Sequence, residues 1–170
     1  MVRTILHYPD KRLREKGKKI GAVTPELRKL IDDMAETMYA APGVGLAATQ
    51  IGEPLQLFII DIADNDEPSD LKVFINPEIL ESTGEVTWQE GCLSFPGVQE
   101  DIDRAAHVRV RALNADGTSF EIEADGLLAV AIQHEYDHLQ GQLMIDHMGP
   151  LKKRLTHRKM VKRAEEQATT

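Results

Sequence analysis

The chain has one cysteine, Cys92, among 170 residues, and no long apolar segment. A single cysteine cannot form an internal disulfide, which is typical of proteins in reducing compartments. No apolar run approaches the roughly 20 residues that a membrane-spanning helix needs. The first residues lack the apolar stretch and the small-residue cleavage site of a secretory signal. We therefore expect a cytoplasmic protein without a membrane partner.

Positive charge is also scarce, because 20 Lys and Arg residues face 28 Asp and Glu residues, a formal net charge of −8. This excess of acidic residues argues against general nucleic-acid binding, because a polyanion would be repelled, and we expect no specific DNA partner. The exception is segment 152–163, which contains basic residues and no acidic one. The favoured interpretation is a solvated helix end whose charges suit the C-terminal dipole. The alternative is a face that docks on an anionic surface such as ribosomal RNA.

The hydrophobic pattern predicts an α+β fold. Segment 24–39 has the spacing of an amphipathic helix, with Thr24 as its N-cap and Pro25 in its first turn. A glycine-rich segment, APGVGLAATQIG, then predicts a loop. A second helix is predicted over 126–140, capped by Asp125 and ended by Gly141, and a third from about Pro150. Short strands are predicted at 55–60, 72–75, 85–89, 107–113 and 119–123.

The second predicted helix carries the sequence HEYDH at 134–138, which matches H-E-x-x-H. Positions i and i+4 of a helix differ by roughly 40° in direction, so His134 and His138 can reach one metal ion. Glu135 lies on the flank of the same face, where it can contact a water molecule at the metal. The apolar residues before the motif indicate a buried helix, in which two unpartnered histidines would be costly.

A hydrolytic metal site needs a third protein ligand and an open position. Met144 stands where one group of peptidases has a third histidine, and His147 and His157 have no recognised spacing. Other peptidases of this kind take a glutamate further downstream, and only Glu165 and Glu166, in the charged C-terminal segment, remain there. Cys92, in WQEGCLSFPG, is the upstream candidate, and its thiolate would tolerate zinc, iron or cobalt. A lone cysteine is more often a buried apolar residue, so this ligand is a hypothesis at this point.

Three motifs, GVGLAATQ at 43–50, EGCLS at 90–94 and HEYDHLQG at 134–141, stand in one chain. Together they strongly resemble those of the peptide deformylases, and the resemblance extends to HYPDKRLRE, INPEI and ADGLLAVAIQ. It implies removal of the N-formyl group from the initiator methionine of new polypeptides. It also implies one divalent metal ion per chain, held by Cys92, His134 and His138. Fe²⁺ would be the physiological ion, with Zn²⁺, Ni²⁺ or Co²⁺ able to take its place.

The resemblance also implies roles for individual residues. Glu135 would be the general base, while the Gln50 side-chain amide and the Leu93 backbone N–H would stabilise the oxyanion. From the residues alone, Gln50 would instead pair with the backbone of its loop. We expect Gly45 to contact the substrate backbone. The candidate walls of a methionine pocket are Val44, Leu127, Val130 and Ala131, whose alternative role is ordinary core.

Two further carboxylates lie beside these motifs. We expect Glu90 to be a structural group that pairs with Arg104, and Asp137 to be a surface or packing group. The expected architecture is a central metal-binding helix against small, largely antiparallel sheets, with an N-terminal and a C-terminal helix. Residues 1–170 would form one catalytic domain, with 152–170 as a basic C-terminal helix, and the protein would be a monomer. The alternatives are a zincin-type metallopeptidase and a non-catalytic, ribosome-associated metal-binding protein.

Overall fold

The computed structural model describes residues 1–168, and it confirms the α+β fold. A five-stranded antiparallel sheet has the strand order β1-β2-β3-β6-β7, and β4 and β5 form a separate antiparallel pair. The strands are β1 (Gly45–Ala47), β2 (Leu57–Ile60), β3 (Lys72–Thr83), β4 (Val86–Gly91), β5 (Gln99–Arg104), β6 (His107–Leu113) and β7 (Ser119–Asp125). The helices are α1 (Pro25–Ala40), α2 (Gly126–Leu139) and α3 (Pro150–Ala168).

Strand β2 is buried on both faces, which explains its unbroken apolar sequence LFII. Leu57 and Ile59 pack in the cluster that contains the inner face of α1. Phe58 and Ile60 alternate with them and pack in the cluster that contains the apolar residues of α2. The large sheet therefore lies between α1 and α2, and α2 packs against one of its faces.

Helix α1 begins as predicted, because the Thr24 side chain accepts a hydrogen bond from the Leu27 N–H. Helix α2 begins after Asp125 as predicted, but the predicted capping contact is wrong. The Asp125 carboxylate contacts His107 Nδ1 at 2.8 Å across the β6–β7 pair. That cross-strand contact competes with capping because Asp125 is also the last residue of β7.

A third apolar cluster lies beneath the β4–β5 pair. Phe95, Val98 and Ile102 pack there against the buried Met160 of α3. Met144, at the position of the absent third histidine, is 2% exposed in the same cluster. This packing holds α3 along the edge of the β4–β5 pair.

Three predictions of local structure are wrong. Residues 45–47, predicted as loop, pair with β2 as β1, and residues 48–51 then form a 3-10 turn. Strand β5 was not predicted, because its sequence QEDIDR contains a single apolar residue. Strand β3 is longer than 72–75, because a register shift between Ile75 and Glu78 accommodates Pro77 inside the strand.

The start of α3 at Pro150 is confirmed. The prediction that its basic residues lie where the C-terminal end of the helix dipole favours positive charge is wrong. The basic residues lie between the first and the fourth turn, and the last turn contains none, so the helix dipole does not favour them. Lys152 contacts Glu100 at 3.3 Å, whereas Lys153, Arg154, Arg158, Lys159 and Lys162 are exposed. Residues 169 and 170 of the predicted basic helix lie outside the described residues. Within residues 1–168, no helix combines the length and apolar character needed to cross a membrane.

Gly141 ends the α2 segment in a conformation that a side chain would strain. Its φ is +75°, and an added Cβ would lie 2.6 Å from the Arg14 carbonyl oxygen. We expect Gly141→Ala to lower the free energy of unfolding by about 1–3 kcal/mol. Gly149→Ala is the matched control, because an added Cβ meets nothing within 4 Å there. Urea unfolding curves measure both, and equal midpoints for the two variants would contradict this explanation.

Candidate metal centre

Three ligand atoms converge between α2 and the end of β4. Cys92 Sγ lies 3.4 Å from His138 Nε2, and His138 Nε2 lies 3.3 Å from His134 Nε2. All three atoms fall within 4.8 Å of one another. In residues 1–168 this is the one group of three or more such side chains close enough to share an ion. The structure thus brings together the three predicted ligands.

Local structure explains why these atoms meet. His134 and His138 are one turn apart on α2, so both rings project from the same face. Cys92 follows directly after β4, where the Phe95 N–H donates to the Cys92 carbonyl oxygen and closes a tight turn. The Ser94 carbonyl oxygen accepts from the Tyr8 N–H, which anchors this turn to the N-terminal segment.

A buried network of charged residues fixes the orientation of His134. Arg104 on β5 donates two hydrogen bonds of 2.9 Å to the two carboxylate oxygens of Glu90 on β4. Glu90 Oε1 in turn lies 3.0 Å from His134 Nδ1. The expected Glu90–Arg104 pair is therefore present. Asp137 is not a simple surface group, because it contacts Arg104 at 2.6 Å and His147 at 3.0 Å.

The two imidazoles of this centre differ in charge preference, because burial and the charge of His134 hold the pKa of His138 well below its usual value, whereas that of His134 is raised. Burial raises the pKa of Glu90, but Arg104 and His134 outweigh it and bring the pKa down to about 2, so Glu90 stays ionised. Burial lowers the pKa of His134, but Cys92 and Glu90 hold it well above its usual value. Because Nδ1 faces Glu90, the Nε2 atom of His134 faces Cys92 and His138. A soft sulfur and two imidazole nitrogens around one point fit a transition-metal ion.

Glu135 is a buried carboxylate beside this centre. Its side chain is 4% exposed, and its Oε1 atom has no hydrogen-bond partner within the described residues. Burial raises the pKa of Glu135 to about 7, against the opposing effect of His134. A Cβ at Gly45 would lie 2.5 Å from Glu135 Oε2, so a side chain where β1 passes this carboxylate would displace it. An unpartnered carboxylate of raised pKa can accept and return a proton.

Gln50 lies in the 3-10 turn after β1 and is 1% exposed. Its Oε1 atom accepts from the Ala47 N–H, which is the backbone pairing expected from the residues alone. Its Nε2 atom donates to Ser94 Oγ at 3.0 Å and lies 3.8 Å from Cys92 Sγ. For the Leu93 backbone N–H, no partner is found in the part of the chain that the structure describes. The Gln50 amide is thus placed beside Cys92, and the Leu93 N–H belongs to the residue that directly follows Cys92.

The centre opens into a groove with a cavity volume of about 860 Å³. All five predicted substrate-binding residues line it, together with Glu135 and His134. Val130 and Ala131 are almost fully buried, whereas Val44 is 48% exposed at the rim. Ile5, His7, Trp88 and Arg163 also line the groove, and none of them is predicted from the sequence. No local pattern marks these residues, because they reach the groove through long-range packing.

Comparisons with known proteins agree with this geometry. The family described as polypeptide deformylase matches residues 2–154. Peptide deformylase 1 of Burkholderia multivorans is 50% identical over 159 residues, covering 93% of this chain and 87% of that protein. The chain belongs to the peptide deformylase family. Membership confirms the resemblance and makes the chain a hydrolytic enzyme of the deformylase type, which argues against both alternative interpretations.

Solved structures of the family share the fold over nearly the whole chain. A peptide deformylase from Legionella pneumophila superposes with a TM-score of 0.92 at 45% identity, covering 100% of this chain and 99% of that one. A deformylase from Ehrlichia chaffeensis in complex with actinonin superposes with a TM-score of 0.91 at 35% identity, covering 95% and 97%. The family is metal-dependent, and the cluster of Cys92, His134 and His138 fits that dependence.

Removing one ligand should remove the metal ion. We expect His138→Ala to lower Zn²⁺ affinity by more than about 100-fold, because loss of supporting contacts alone costs 10- to 100-fold. His107→Ala is the matched control, since His107 lies on β6 and outside the cluster. Elemental analysis after dialysis against a chelator measures retained metal. Equal retention by the two variants would rule out this centre.

Proposed function

We propose that this chain removes the formyl group from N-formylmethionine at the start of newly made polypeptides. The observation that carries the proposal is the unpartnered carboxylate of Glu135 beside three convergent metal ligands, inside a groove lined by apolar residues. Membership in the deformylase family supports the same reaction. We also propose that residues 1–170 form one catalytic domain and that it acts as a monomer in the cytoplasm.

In this proposal Cys92, His134 and His138 hold one divalent metal ion. When bound, the ion supplies Lewis acidity to the formyl oxygen and lowers the pKa of a water molecule at the site. We propose Fe²⁺ as the physiological ion, with Zn²⁺, Ni²⁺ or Co²⁺ able to replace it, because a thiolate with two imidazoles accepts all four. A thiolate ligand would also make the site sensitive to oxidation.

Glu135 then moves the protons of the reaction. Its unpartnered Oε1 atom can accept a proton from the attacking water and later deliver it to the amine of the methionine as the C–N bond breaks. A pKa raised to about 7 by burial suits both directions of transfer. The products are formate and a peptide with a free N-terminal methionine.

Gln50 and Leu93 would stabilise the negative charge that develops on the formyl oxygen. The Gln50 amide is held by Ala47 and Ser94, so it needs no reorganisation when charge appears. The Leu93 N–H follows Cys92 in the same tight turn. We propose that both donors point to the position that the oxyanion occupies.

Substrate selection would come from the walls of the groove. Leu127, Val130 and Ala131 present an apolar surface one to two turns before the metal ligands on α2, which suits a methionine side chain. Val44 would add to the apolar wall from the exposed side of the groove, and Gly45 at the start of β1 would contact the peptide backbone. A formyl group carries only hydrogen beyond its carbonyl, so a close fit would exclude acetyl groups by steric contact.

The direct test is turnover of matched peptides by the metal-loaded protein. We expect formate release from N-formyl-Met-Ala and no reaction with N-acetyl-Met-Ala or with a longer unformylated peptide. Glu135→Gln should retain the metal but lower kcat by at least about 100-fold, the usual contribution of a general base. Glu123→Gln, at an exposed position of β7, is the matched control.

Internal cleavage of the unformylated peptide would instead support a zincin-type peptidase. Full activity of Glu135→Gln would remove this residue from the proton transfers. Retained metal without any turnover of the wild type would favour the non-catalytic alternative.

The exposed basic face of α3 supports docking on the ribosome as a further part of the proposal. We expect Arg154→Gln/Arg158→Gln to weaken salt-dependent co-sedimentation with ribosomes and to spare turnover of N-formyl-Met-Ala. Arg109→Gln/Arg111→Gln removes the same charge from the sheet and is the matched control. Identical sedimentation of both double variants would argue against docking through α3.

A further inference from the structure

Part of the groove lining is not used by any step of the proposed reaction. It consists of Ile5 and His7 of the N-terminal segment and Arg163 of α3. A volume of about 860 Å³ is near the upper end of the usual 300–1,000 Å³ for ligand pockets. The groove therefore has room for more than a formylated methionine.

Arg163 differs from the other basic residues of α3. It lies about one turn after the buried Met160, so its side chain emerges beside the third apolar cluster and is half-buried. Its Nε atom is buried and has no hydrogen-bond partner within residues 1–168. By contrast, Lys152 at the start of the same helix contacts both the Glu100 carboxylate and the Gln99 carbonyl oxygen.

The charge of Arg163 acts on the groove rather than on a neighbouring carboxylate. Burial lowers the pKa of His7, and the positive charge of Arg163 lowers it further. Among the described residues the guanidinium forms no ion pair within 4.0 Å. A partly desolvated guanidinium without an anionic partner favours binding of an anion.

We propose that Arg163 binds a carboxylate carried by the peptide downstream of its N-formylmethionine. The inference rests on the proposed function, which places the formyl group at Glu135 and the methionine side chain against α2. The following residues must then leave along the remaining groove, at about 3.3–3.6 Å per extended residue. Arginine presents a planar fork of N–H donors that matches a carboxylate. The carboxylate comes from an acidic side chain or from the C-terminus of a short peptide.

Kinetics with four peptides separate the two sources. They are N-formyl-Met-Ala-Ala amide, N-formyl-Met-Asp-Ala amide, N-formyl-Met-Ala-Asp amide and N-formyl-Met-Ala-Ala with a free C-terminus. We expect at least one carboxylate peptide to exceed the neutral amide in kcat/KM by about five-fold or more, mainly through KM. Arg163→Gln should bring that ratio close to one, and Arg163→Lys should restore part of it. The exposed Lys162→Gln is the matched control and should keep the wild-type ratio.

A binding measurement separates failure of this inference from failure of the proposed function. The side-chain N–H resonance of Arg163, assigned by its absence in Arg163→Gln, can be followed while unformylated Met-Ala-Asp amide is added. We expect a saturable shift that is larger than the shift with Met-Ala-Asn amide. Equal shifts, or a carboxylate preference that survives in Arg163→Gln, would overturn the inference. Loss of deformylation in the wild type would overturn the proposed function, and the resonance shift would still decide the role of Arg163.

Discussion

The buried ion pair between Arg104 and Glu90 is the interaction on which the rest of the site depends. It joins β4 to β5 through two hydrogen bonds, and it reaches α2 twice, through the Glu90–His134 and Arg104–Asp137 contacts. Cys92 and His138 are 46 positions apart in the sequence, so no local structure can hold their ligand atoms together. A buried ion pair contributes little net stability, but breaking one is costly. Its effect here is to fix the β4–β5 pair against α2 in one arrangement.

The polar groups around the groove fall into two sets. Glu90, Arg104 and Asp137 each contact an oppositely charged or imidazole group and hold one another in place. Three atoms, Glu135 Oε1, Arg163 Nε and His138 Nδ1, are buried and have no partner within the described residues. Buried polar atoms are nearly always hydrogen-bonded, so the exceptions call for an explanation. Glu135 and Arg163 line the groove, where a substrate can supply the partner, whereas His138 belongs to the cluster of candidate metal ligands.

Local features of this molecule could be predicted from the sequence. The helix period places His134, Glu135 and His138 together, Thr24 caps α1, and alternation predicts β6 at its observed bounds. Features that depend on pairing between distant segments could not be predicted from the sequence. Strand β1 exists because the glycine-rich segment pairs with β2, and β5 is a charged sequence held by β4. The position of Arg163 in the groove depends on how α3 packs through Met160, which no local pattern records.

We propose that two separate segments of the chain supply one sulfur and two imidazole ligands to a single metal ion. X-ray absorption spectroscopy of the protein loaded with one equivalent of Zn²⁺ tests this most directly, because sulfur and nitrogen scatterers are distinguished around the metal. We predict one sulfur at about 2.3 Å and two imidazole nitrogens at about 2.0–2.1 Å, the usual distances for these ligands. A first shell of nitrogen and oxygen alone, without sulfur, would contradict the account.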